Sequence, residues 1–271
     1  MRAWANGRLV DPAAPALSPF DHGLTTGDGV FETVEVVRGA PFALTRHLRR
    51  LSRSAAGLGL PEPDLDQVRG AAGAVLAAEP VPYGVLRVTF TAGDSPLGSL
   101  RGPTVQPSLV VAVAATTPKP ASTAAVTVPW VRNERGALTG LKTTSYAENV
   151  QSLRYAAARG ATEAILANTV GALCEGTGSN VVCVLDGQPA TPPLSSGCLA
   201  GVTRELLLGW CDVPERDLTM ADLAAAEEVL LTSTTRHVQV VDRLDDRALP
   251  DSVGSQLAAQ WRKHAAEDQD P

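Results

Sequence analysis

The chain has 271 residues, of which 44% are apolar and 19% charged, and its formal net charge is −6. That balance fits a soluble globular protein of one large or two modest domains. It argues against nucleic acid or an anionic membrane as the main partner, and no run approaches the roughly 20 apolar residues of a membrane span.

The first residues, Met1-Arg-Ala-Trp-Ala-Asn-Gly7, turn polar at once and lack the apolar core of a signal peptide, so a cytoplasmic location is expected. Gly29 to Arg38 alternates with period two, which predicts a strand. Gly39-Ala-Pro41 then turns the chain, and Phe42 to Leu44 starts a second strand. Thr45 is placed to cap a helix through about Gly57, and Leu65 to Ala78 reads as another helix. Tyr83 to Thr91 and Ser108 to Ala115 are β-branched-rich strands.

Thr116 to Ser122 reads Thr-Thr-Pro-Lys-Pro-Ala-Ser, a stiff extended linker. It suggests a small α/β domain over 1–115, a linker over 116–122 and a larger domain over 123–271. In that second part, strands are expected at Ala125 to Val128 and Glu163 to Ala167. A hairpin-like strand pair is expected around Leu173 and Val181 to Leu185, and a further strand at Glu228 to Thr232. Helices are expected from Thr144 to Arg159, Thr203 to Trp210 and Met220 to Ala226, and the end, Ala265 to Pro271, reads as frayed. The class is mixed α/β (α+β). Cys174, Cys183, Cys198 and Cys211 form no C-x-x-C pair, and there are four histidines, so no metal site is expected.

Lysine is rare here: three residues, against twenty arginines. Lys119 lies between prolines and Lys263 in a polar tail, but Lys142 precedes a helix-like stretch. A guanidinium does not deprotonate and cannot be an amine nucleophile, so a retained lysine points to amine chemistry. Pyridoxal phosphate is the cofactor that most often meets an internal lysine. It needs an acid at its pyridine nitrogen and a cradle for its phosphate. Glu175, in Cys174-Glu-Gly-Thr-Gly-Ser-Asn180, is the candidate acid. Gly197 to Glu205 is a glycine-punctuated loop entering a helix, where the N–H groups of Val202 and Thr203 and the Thr203 hydroxyl suit a phosphate. Thr232-Ser-Thr234-Thr235 offers four hydroxyls at a strand end, and Arg50, beside Leu51, offers a guanidinium. Each also has a plain structural reading: a hairpin loop, an N-cap threonine, a polar turn and a solvated basic face.

Together, Gly27-Asp-Gly29-Val-Phe-Glu32, His47-x-x-Arg50-Leu51, Lys142, Glu175-Gly-x-Gly-x-Asn180, Leu199-x-Gly201-Val-Thr203-Arg204 and Thr232 to Thr235 resemble the class IV aminotransferases over roughly residues 3 to 245. The resemblance implies a pyridoxal phosphate enzyme of fold type IV, with a small α/β domain, a larger barrel-like β domain and a homodimer. It implies that Lys142 holds the cofactor as a Schiff base and moves the proton. Glu175 would face the pyridine nitrogen, and Arg50, Val202, Thr203, Ser233 and Thr234 would bind the cofactor. Phe31, Arg87 and Thr235 would meet an amino acid and a 2-oxo acid as substrates. Length and the hydroxyl run favour the D-amino acid branch. However, the arginine–histidine carboxylate trap of that branch is missing at Ala92-Gly-Asp-Ser-Pro96. Arg87, or Arg101 of a partner chain, is left to meet the carboxylate. 4-Amino-4-deoxychorismate lyase, which releases pyruvate, shares the same residues. Tyr146 is left unassigned.

Overall fold

The period-two run at Gly29 forms a nine-residue strand near one edge of an antiparallel sheet. The computed structural model describes residues 1–11 and 13–271. It comprises two units: Met1–Pro118 with Leu141–Tyr146 and Gln269–Pro271, and Lys119–Gly140 with Ala147–Asp268.

The first unit contains β1 (Arg2–Ala5), β2 (Arg8–Val10), α1 (His22–Thr25), β3 (Gly29–Val37), β4 (Ala40–Pro41), α2 (Leu44–Gly57), α3 (Leu65–Ala78), β5 (Tyr83–Thr91) and β6 (Ser108–Ala115). The sheet order is β2-β1-β6-β5-β3-β4, and every ladder is antiparallel. One β3 face, Val30, Glu32, Val34 and Val36, is fully buried. Leu48 and Leu51 of α2, Val68 and Val75 of α3, and Leu86, Val88, Val111 and Val113 complete that core. A fully buried leucine or valine contributes roughly 1.5–3 kcal/mol. The predicted bounds of α3, β5 and β6 match the structure. Thr45 is not the cap of α2. Ala43, in the left-handed region, occupies that position without a side-chain bond. Asp270 accepts instead from the Thr45 N–H at 2.8 Å and its hydroxyl at 2.6 Å, and Ala43 N–H donates to Gln269 O. The expected fraying at the C-terminus is therefore corrected, because these last residues supply acceptors to a helix start.

The second unit contains β7 (Ser122–Arg132), α4 (Ala147–Ala157), β8 (Glu163–Asn168), β9 (Leu173–Gly176), β10 (Asn180–Leu185), β11 (Gln188–Ala190), α5 (Val202–Cys211), α6 (Met220–Ala225), β12 (Glu228–Ser233), β13 (His237–Leu244), β14 (Arg247–Ala248) and α7 (Val253–Glu267). The sheet order is β11-β10-β12-β13-β7-β8-β9, with β14 beside β13. β7 is longer than expected, and its register shifts between Thr127 and Val131, around Pro129, which has no N–H for the ladder.

Leu173 and Val181 do not belong to a paired hairpin. β9 pairs with β8, and β10 pairs with β11 and β12. Only a three-residue link, joined by Gly176 N–H to Ser179 O, connects β9 to β10. Such a short link between an end strand and one near the opposite end requires the sheet to curl. The core inside it includes Ile165, Leu173, Val181, Leu223, Val229, Leu231 and Val241. Lys263, expected in a polar tail, lies in helix α7. In that helix Gly254, Leu257, Ala258 and Trp261 are buried at helical spacing, and Glu228 accepts from the N–H groups of Ser252, Val253 and Gly254 at its start. No helix among the described residues is long and apolar enough to cross a membrane.

Candidate active site

In the first unit, β4 pairs with β3 only at Val36 and Val37, which leaves the start of that edge for another segment. Lys142 to Thr144 takes it. Phe31 N–H donates to Lys142 O at 2.9 Å, Thr144 N–H donates to Gly29 O at 2.8 Å, and Val30 bridges Thr143. Lys142 N–H also donates to Ser54 Oγ of α2 at 3.1 Å. The backbone on both sides of the amine is therefore fixed. This extended pairing is also why helix α4 starts at Ala147 and not at Thr144.

The Lys142 Nζ lies 4.2 Å from the Phe31 ring centroid and 3.4 Å from the Tyr146 hydroxyl. Phe31 and Tyr146 meet edge to face at 5.0 Å. The Arg87 guanidinium covers Phe31 at 3.4 Å, a favourable cation–π geometry. Sequence reasoning left Tyr146 unassigned. Its i+4 spacing from Lys142 was the available signal, but only the extended turn through Thr144 brings the hydroxyl to the amine.

On the opposite face of β3, Glu32 is fully buried and bonded to α2. It accepts from Arg50 Nε at 2.8 Å and Nη2 at 2.7 Å, and it lies 2.7 Å from His47 Nδ1. Burial alone would raise the Glu32 carboxyl. The charge and hydrogen bonds of Arg50, helped by His47, outweigh it and hold the pKa at about 2. Burial lowers His47, with Glu32 opposing. Glu32 thus fixes the plane of the Arg50 guanidinium.

Arg101 is bound within its own chain. Its Nε and Nη2 donate to both Asp28 oxygens at 2.7 and 2.6 Å, and Leu58 O and Gly59 O accept the rest.

In the second unit, Glu175 sits on β9, where β8 and β9 slip register. Its side chain is 12% exposed, with one oxygen accepting from Leu199 N–H at 2.9 Å. The other oxygen lies 3.1 Å from Arg132 Nε, an ion pair and not an aligned hydrogen bond. Arg132 Nη1 donates to Asn149 Oδ1 at 2.9 Å. A carboxylate held beside this cation is suited to face a protonated pyridine nitrogen. Sequence reasoning missed Arg132, since nothing local marks the end of β7.

Val202 and Thr203 open α5, whose N-cap is Gly201 with no side-chain capping bond. A helix start of this kind presents N–H donors and positive potential to an anion. Asn180 Nδ2 donates to Leu199 O at 2.8 Å, and a Cβ on Gly201 would lie 2.1 Å from Asn180 Oδ1. The glycine is required by this close approach. Ser233 ends β12, and Thr234 and Thr235 form the turn into β13, closed by Arg236 N–H to Ser233 O. The neighbouring Thr232 hydroxyl is buried with no hydrogen-bond partner among the described residues. The second unit thus offers an anchored carboxylate, an uncapped helix start and a hydroxyl-rich turn, and the first unit offers an amine, each a group that pyridoxal phosphate chemistry needs. The four cysteines are free and buried, and burial pushes their thiols up, Cys183 to about 12.

Known proteins agree with this chemistry. The amino-transferase class IV family model matches residues 29–244. A bifunctional aminodeoxychorismate lyase / D-amino acid transaminase of Mycobacterium tuberculosis is 32% identical over 274 residues, covering 90% of this chain and 91% of that protein. The PLP-bound form of a hypothetical aminotransferase from Mycobacterium tuberculosis superposes with a TM-score of 0.87 at 29% identity, covering 99% of this chain and all of that one. A branched-chain aminotransferase of Thermoproteus uzoniensis gives 0.90 at 28%, covering 98% and 95%. The fold is that of the fold type IV transaminases, and the chain belongs to the class IV aminotransferases, which depend on pyridoxal phosphate.

Proposed function

We propose that this protein is a transaminase that moves an amino group between an amino acid, D-amino acids preferred, and a 2-oxo acid. The carrying observation is the Lys142 amine, fixed by β3 and α2 and flanked by Phe31 and Tyr146. When bound, pyridoxal phosphate supplies the carbonyl and the electron sink. Lys142 would carry it, and its amine would move the proton at the substrate Cα. Glu175 would face the ring nitrogen and favour its protonated form. Arg50, Val202, Thr203, Ser233 and Thr234 hold the phosphate end, and Phe31, Arg87 and Thr235 line the substrate side. The working form is a cytoplasmic homodimer, and residues 116–122 link its small and large domains.

The second reading is 4-amino-4-deoxychorismate lyase, favoured by the relative that carries both activities at 32% identity. Single-turnover absorbance with D-alanine, L-leucine and aminodeoxychorismate separates the two. Loss of the visible cofactor band with D-alanine, restored by a 2-oxo acid, is the expected result. Pyruvate released from aminodeoxychorismate, with no change from either amino acid, would replace it with the lyase. Lys142→Ala should abolish the band, and an unchanged band would remove Lys142 from its role.

A further inference from the structure

Glu163 is a buried carboxylate that the proposed reaction does not use. It opens β8 and is 1% exposed. One oxygen accepts from Thr177 N–H at 3.0 Å, from the Thr177 hydroxyl and from its neighbour Ala164 N–H at 3.1 Å. The other accepts from Ser179 Oγ at 2.9 Å and lies 3.7 Å from Arg236 Nε. Arg236 ends the hydroxyl turn after Thr235. Its Nη2 donates to Thr162 O at 2.8 Å, and its Nη1 donates to Thr162 Oγ1 at 3.1 Å and to Gln239 Oε1 at 2.5 Å. A single acid is thus tied to the 176–179 turn, which lies between Glu175 and Asn180, and to the 234–236 turn. The fit at the first turn is tight, since a Cβ on Gly176 would lie 2.4 Å from Ser179 Oγ and 3.1 Å from the Glu163 carboxyl carbon.

We propose that Glu163 is a positioning residue that fastens these two turns to each other, so that the acid for the ring nitrogen and the hydroxyls for the phosphate keep a fixed separation. This role rests on the cofactor-site reading above. A buried carboxylate suits it because charge-assisted hydrogen bonds are short and strong, and because leaving such a charge without its donors is costly.

The test uses the full-length protein. Glu163→Gln keeps the shape and removes the charge. In the cofactor-free form, amide exchange should quicken in peptides covering 176–180 and 233–237 together, while α3 is unchanged. Affinity for pyridoxal phosphate should fall about tenfold or more. The pH profile of the bound cofactor's absorption should move in the same direction as in Glu175→Gln, a signature that general destabilisation would not give. Unchanged exchange in both turns overturns the proposal. So does quickened exchange with wild-type affinity and pH profile, when Glu175→Gln alters both. If Glu175→Gln and Thr203→Ala themselves leave affinity and profile unchanged, the site reading fails and the positioning role with it, even where both turns loosen. Ser179→Ala and Arg236→Gln each cut one arm and serve if Glu163→Gln does not fold. Each should loosen both turns, and loosening confined to its own turn overturns the coupling.

Discussion

Arg87 shows how one side chain can decide specificity. Its guanidinium lies 3.4 Å from the centroid of the Phe31 ring, and the Lys142 amine lies 4.2 Å from the same centroid. Burial lowers its pKa, with Tyr146 and Glu32 opposing, yet a guanidinium stays cationic at any working pH. In the proposed function it is the positive charge that meets a substrate carboxylate. Arg87→Ala should raise KM for amino acids roughly 10–100-fold and leave simple amines nearly unchanged. Equal losses for both, in steady-state kinetics, would end that role. Glu32 and His47 predict the acid limit of the first unit. His47 is lowered, so the unfolded chain takes up its proton first, and stability falls as pH drops below about 6.5. Glu32, at about 2 against an ordinary 4.5, contributes stability that is present above 4.5 and lost as pH falls toward 2. Urea midpoints measured against pH should fall in both windows. Glu32→Gln should flatten the lower one, and a midpoint that stays level in the wild-type protein from pH 7 to 3 would contradict the assignment.

At the scale of elements, the start of α5 depends on the absence of a side chain at Gly201. Asn180 cannot swing away from an added Cβ without losing its bond to Leu199 O, and Leu199 N–H in turn holds Glu175. Gly201→Ala should cost about 1–3 kcal/mol of stability and weaken pyridoxal phosphate binding about tenfold. Gly209→Ala is the control in the same helix. Nothing lies within 4 Å of its added Cβ, so it should be neutral or stabilise by about 0.5–1 kcal/mol. Thermal melts and cofactor titration of the two variants settle the matter, and equal behaviour would refute the close-approach argument. Much of this was readable beforehand. The motif Glu175-Gly-x-Gly-x-Asn180 and the loop Leu199-x-Gly201 were visible as glycine-punctuated strings. What joins them was not, because the Asn180–Leu199 bond spans 19 residues and leaves no local pattern.

At the scale of the whole molecule, the proposal of a homodimer predicts a solution mass near twice the 28.2 kDa of the chain. Light scattering coupled to size exclusion measures it directly, at concentrations down to those of the activity assay. A monomer that turns over substrate at full rate would refute the dimer as the working form. The substrate side is less legible at this scale than the cofactor side. Cofactor chemistry demands an amine, an acid and donors for a phosphate, whereas one amino acid differs from another mainly by pocket shape and by the direction of a carboxylate. Relatives that act on D-amino acids and on branched-chain amino acids share this fold at similar identity.

The sequence by itself determined the elements with a clear local period, such as Leu65–Ala78, Tyr83–Thr91 and Ser108–Ala115, and the chemical types at the site, above all a lone lysine ahead of a helix. Periodicity and residue chemistry are local properties, so they survive in a linear reading. Only the tertiary structure decided that β9 leaves β10 to pair with β8, that Lys142 lines an open strand edge, that Arg101 is spent on Asp28, and that Glu163 sits beneath two turns. Strand partners and buried polar contacts join residues far apart in the chain. Their choice rests on which faces are left to bury and which donors remain to satisfy.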